Sequence, residues 1–172
     1  MTDNFVAEMK QTHADFLELF EEYRNKLTEV LFYGERISRS ELQEGKDTFL
    51  NGLRRHIETV QQILLPAVTP SDSSGDVVAI DLFADFQDRL EKQASQTEDT
   101  EENIEFFANP DAPKDERNDA ARETLKDLYR LDSLLSTYFQ LIENHFLTAG
   151  SEQLDDDEKQ QLLEELRVVR PD

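Results

Sequence analysis

The chain has 172 residues, of which 39 are Asp or Glu and 18 are Lys or Arg, for a formal net charge of -21. Such a surplus repels phosphate backbones and anionic lipid surfaces within a Debye length, so neither direct nucleic-acid binding nor a membrane surface is expected. The complete lack of Cys removes disulfides, thiolate metal sites and cysteine nucleophiles from consideration.

The first element is set by apolar residues at Phe5, Met9, Phe16, Phe20, Tyr23, Leu27 and Val30, with His13 filling the gap in the 4-3 spacing. One face of a long helix over about 3–33 results, with Gly34 as its stop. Ser40 and Gln43 have the spacing of a capping box, and the next stripe runs through Leu42, Phe49, Leu53, His56, Val60, Ile63 and Ala67. A second helix over 41–66 follows, ended by Pro66 and Pro70 and by the turn-forming run PSDSSGD.

A third helix, over 77–100, carries Val78, Leu82, Phe83, Phe86 and Leu90 inward. The acidic run near 98–105 reads as a solvated face, and Phe106, Phe107, Asn109 and Pro110 read as a connection whose two Phe cover the end of the core. The fourth helix, over 114–148, lines up Leu125, Leu128, Leu131, Leu135, Tyr138, Ile142 and Phe146 and stops at Gly150. Asp155 with Glu158 forms a second capping box, opening a short helix over 155–168 that turns Leu162, Leu163, Leu166 and Val169 toward the rest. The expected fold is all-α, a single domain over 1–172 built as an antiparallel up-down four-helix bundle with a short C-terminal fifth helix.

No Gly-rich phosphate loop, GxSxG or HExxH occurs, and the many paired carboxylates read as solvated charge. With no basic, apolar leader in MTDNFVAEMK and no apolar run of membrane-spanning length, a cytoplasmic protein is expected. The acidity has three readings: a solubilising surface, adaptation to high salt, or a negative patch that meets a basic partner protein.

Histidine is where the pattern departs from an ordinary core. His13 and His56 each hold a stripe position that spacing alone gives to Leu or Phe, and a histidine there is more often a hydrogen-bonded core residue than a ligand. Around His56, the segment LRRHIETVQQILLPAV resembles the hemerythrin-like family, also called the HHE cation-binding domain, through Leu53, His56, Ile57, Leu64, Leu65 and Pro66. In LLSTYFQLIENHFLTAG, Tyr138-Phe139 and Ile142-Glu143 fall on the corresponding fourth-helix positions, and His13 on the first-helix histidine.

That resemblance implies an antiparallel four-helix bundle which, in most members, holds a carboxylate-bridged di-iron centre through about five histidines and two carboxylates. Carried over, His13 and His56 are retained ligands. Val60 stands at the second-helix carboxylate position, Phe86 at the third-helix histidine, Tyr138 at the fourth-helix histidine and Ile142 at its carboxylate. Without inward carboxylates two iron ions lack the anionic donors they need, so the di-iron site is expected to be lost and no cofactor retained. An iron site made of His13, His56 and Tyr138 is the alternative, with oxygen or nitric-oxide sensing or iron storage as its use. His145, seven residues beyond Tyr138 and so about 10 Å further along the helix, would not join it.

The register LYRLDSLLSTYFQLIENHFL is also similar to bacterial regulators that bind the housekeeping sigma factor, metal-free bundles acting through protein contact. The functional expectation is a non-enzymatic, protein-binding or regulatory bundle.

Overall fold

A computed structural model describes residues 2–33, 39–68, 74–99 and 111–167. Helix α1 spans Thr2–Tyr33. Helix α2 runs over Arg39–Thr59, passes through a π turn at Val60–Leu64 and continues over Leu65–Val68. Helix α3 is Ser74–Asp99. Helix α4 covers Lys114–Leu141, a second π turn at Ile142–Phe146, and Leu147–Gln153. Helix α5 is Asp156–Leu166. Among the described residues no strand occurs, and no helix is long and apolar enough to cross a membrane.

The helix faces follow from spacing. On α1, Phe5, Met9, His13, Phe16, Phe20, Tyr23 and Leu27 are all buried, as the 4-3 repeat requires. Contacts between these faces fix the directions of the helices. Phe20 meets Phe49 and Phe16 meets His56, so α1 and α2 run antiparallel. Arg24 binds Asp132 at 3.1 Å while His13 reaches Glu143, so α1 and α4 do too. Phe83 lies against Phe146 and Gln93 reaches the Asp127 carbonyl, giving the same relation for α3 and α4. Helix α5 packs across α1 and α2.

Close approach of α1 and α2 depends on two glycines. A Cβ on Gly45 would lie 3.3 Å from the Tyr23 ring and one on Gly52 3.2 Å from the Phe16 ring. Gly45 and Gly52 are two turns apart, as are Tyr23 and Phe16, so each ring seats over bare backbone.

Several boundaries differ from the sequence expectation. Helix α2 does not end at Pro66. Proline lacks an N–H and crowds the carbonyl four residues back, and here it directly follows the widened turn in which the Leu65 N–H bonds the Val60 carbonyl. Gly150 likewise does not stop α4, which continues to Gln153 with Gly150 buried inside it. Ser40 lies within α2, which already includes Arg39, and so does not precede it as a cap. Helix α3 starts at Ser74, and its inward stripe is Phe83, Gln87, Leu90 and Ala94; Leu82, expected inside, is 65% exposed. Leu125 is only half-buried because Ala121, Thr124 and Leu128 form the inner edge of α4 there. Gly34, Pro70, Phe106, Phe107, Asn109, Pro110, Val169, most of the acidic 98–105 run, and the side chains of Val30, Leu42 and Val78 lie outside the described residues.

The start of α5 is as expected. The Glu158 N–H donates to Asp155 Oδ1 at 2.8 Å and the Asp155 N–H donates to Glu158 Oε2 at 3.1 Å, completing a capping box. Replacing Asp155 with Ala is expected to cost about 1 kcal/mol of stability, measured by urea unfolding. An unchanged midpoint would show that α5 adds nothing to the cooperative unit.

Candidate functional site

His13, His56 and Tyr138 come from three different helices, and the fold brings them together. The His13 and His56 rings lie 5.1 Å apart between centroids, and His56 lies 5.6 Å from Tyr138, edge to face. Phe139 completes the group, stacked on His13 at 4.4 Å and tilted against His56 at 5.1 Å. Phe16 closes one side, with its centroid 6.3 Å from His56.

Two polar threads enter this aromatic centre. In the first, His13 Nδ1–H donates to Glu143 Oε1 at 2.9 Å, with the imidazole buried and the carboxylate 24% exposed. The sequence expectation of no inward carboxylate is therefore corrected. Heptad counting turns Ile142 inward and leaves Glu143 beyond the stripe, but a π turn starts at Ile142. Its wider winding lets Ile142 stay buried while Glu143 reaches back to α1.

In the second thread, Gln61 Nε2 donates to Gln87 Oε1 at 3.0 Å, and Gln87 Nε2 donates to the Tyr138 hydroxyl at 3.4 Å. Gln87 went unmarked in the sequence reading, although a glutamine in the Phe83, Gln87, Leu90, Ala94 stripe is the same kind of signal as His13. The expected third-helix position, Phe86, is only partly buried at the rim; Phe83, stacked on Tyr138 at 5.3 Å, takes the inner place.

Burial dominates the electrostatics. Desolvation, reinforced by the neighbouring His13, lowers the His56 pKa well below 6.5. Desolvation also raises the Tyr138 phenol well above 10, against the opposing bond from Gln87 and with a smaller push from Glu91. Each of these two rings is thus held in its neutral form. Among the described residues, His13 Nε2 and both ring nitrogens of His56 have no hydrogen-bond partner. Leaving such groups unpaired costs about 1–3 kcal/mol each, which marks the centre as polar beyond the needs of packing.

The donor set does not fit a di-iron centre. It offers two imidazoles and one carboxylate, and Val60, Phe83 and Tyr138 fill the space that further ligands would need. Among the described residues no three His, Cys, Asp or Glu side chains gather closely enough to hold a metal ion. His145 is exposed.

Set against protein-family models, curated proteins and solved structures, the chain matches none.

The buried neutral imidazole carries a pH signature. Near pH 6.5 the unfolded chain takes up a proton at His56 that the folded chain refuses, so its contribution to stability is complete above that pH and shrinks below it. Wild type is expected to lose stability relative to His56→Leu as pH falls from 7.5 to 5, by at most about 1.4 kcal/mol per unit. Urea midpoints across that range check this. The groups facing His56, namely His13 and Tyr138 with Glu143 behind them, are common to both proteins, and parallel profiles would contradict a buried neutral His56.

Proposed function

We propose that the four long helices form a hemerythrin-like up-down bundle, with α5 as a short addition, whose di-iron site has been lost and which works as a non-enzymatic protein-binding or regulatory module. The observation that supports this best is the fate of the ligand positions. His13 Nδ1 is taken by Glu143, the Tyr138 hydroxyl accepts from Gln87, and Val60, Ile142 and Phe83 are fully packed apolar groups. In this centre the pairs His13–Glu143 and Gln87–Tyr138 and the packing of rings from three helices are of the kind that holds helices together.

On this reading the outside of the bundle carries the function. With a net charge of -21 its faces favour a partner with a basic surface, chiefly by speeding encounter and rejecting acidic competitors. A sigma-factor-binding type of regulator is one module of this kind. A cytoplasmic location suits the cysteine-free composition.

Purification without chelators followed by elemental analysis tests the loss of the centre: less than about a tenth of a metal equivalent per chain is expected, since an intact site binds tightly enough to keep its metal. Two irons per chain would reject the reading.

A second reading rests on the three buried imidazole nitrogens that have no partner among the described residues. Here His13 and His56, with Glu143 or Tyr138, hold an iron ion for oxygen or nitric-oxide sensing. It requires a charge-transfer absorption band after anaerobic Fe(II) loading and exposure to air, lost in His56→Leu. No band and an unchanged melting temperature would dismiss it.

A further inference from the structure

Next to the imidazole centre, with Phe16 common to both, the crossing of α5 over α1 and α2 leaves a cleft of about 280 Å³. Its inner wall is apolar, made by Phe16 and Leu19 of α1 and Leu166 of α5. Gly52 on α2 is the reason the cleft reaches Phe16. A side chain there would press on that ring, since even a Cβ comes within 3.2 Å of it.

The mouth is polar, and among the described residues its charge is opposite to that of the chain. Arg55 and Arg167 line it, no described Asp or Glu does, and acidic residues outnumber basic ones 39 to 18 over the sequence. Arg55 is also positioned: its Nη2 donates to the Arg167 main-chain carbonyl at 3.1 Å, which anchors the guanidinium across the opening. That bond uses one of its five N–H donors.

We propose that this cleft binds a small monocarboxylate bearing a short apolar or aromatic tail, with the tail against Phe16, Leu19 and Leu166 and the carboxylate on Arg55 and Arg167. Guanidinium forks match a carboxylate in a bidentate way. The volume lies at the lower end of ligand sites, about 300 Å³ upward, so the ligand is small. A monoanion is favoured over a phosphate dianion because the surrounding negative field penalises each added charge. The same chemistry is presented by a free acid and by a peptide ending in an aromatic residue.

Isothermal titration of 3-phenylpropionate into the full chain tests this. Saturable one-to-one binding is expected, weakened about tenfold or more by Arg55→Met and by Arg167→Met through lost charge-assisted hydrogen bonds. Arg167→Met leaves the Arg55 bond to the main-chain carbonyl in place, so its effect does not depend on the seating of α5. The uncharged 3-phenylpropanamide is expected to bind at least about tenfold more weakly as well. An acetylated dipeptide with C-terminal Phe, compared with its amide, separates the two sources: tighter binding than the free acid identifies a peptide terminus, and weaker binding a free acid, each supporting the carboxylate chemistry. No binding into the millimolar range, equal affinity for acid and amide, or full affinity in the Arg55→Met, Arg167→Met double variant would overturn the proposal.

Discussion

Three rings from three helices meet at one point, and the remainder of the interior is arranged around them. His13 of α1 lies flat on Phe139 of α4, and His56 of α2 lies against both. Planar groups stacked in this way define separation and rotation together, so the three helices are fixed in register at this level. Both π turns begin four residues beyond a ring of the group, Val60 after His56 and Ile142 after Tyr138. Each adds a residue to its turn just where the chain must pass a bulky centre, a common setting for such turns.

Charge is divided sharply between outside and inside. The described ion pairs are mainly short-range pairs along α4, such as Arg122 with Asp119 and Lys126 with Glu123, which add little to stability. Arg24 differs, because it links α1 to Asp132 of α4 while its guanidinium lies 5.3 Å from the Tyr129 ring centre. Apart from such links, the acidic surface contributes mutual repulsion, and the cohesion comes from the buried interior.

Much of this was legible from spacing. The α1 stripe needed only the 4-3 repeat, and His13, His56 and Tyr138 stood out because a polar group interrupted an apolar series. Spacing failed where the helix changed its winding. Beyond Val60 the buried residue is Leu64, with Ile63 only partly covered, and beyond Tyr138 the carboxylate that matters is Glu143. A π turn arises from tertiary packing, and nothing in the local residue types announces it. Leu82 failed for another reason: α3 has adjacent apolar residues at Leu82 and Phe83, and periodicity alone cannot say which of two neighbours faces inward.

Helix α3 packs mainly on α4, and its link to α2 includes the single thread from Gln61 to Gln87. Among the described residues its inward side is Phe83, Gln87, Leu90, Gln93 and Ala94. Amide protection follows buried contact, so among the described residues the protection of α3 depends chiefly on its face against α4. Phe83 lies against Tyr138, while His13, His56 and Phe139 pack on one another. The imidazole group is thus the property of α1, α2 and α4, and α3 covers it from the Tyr138 side through Phe83 and Gln87.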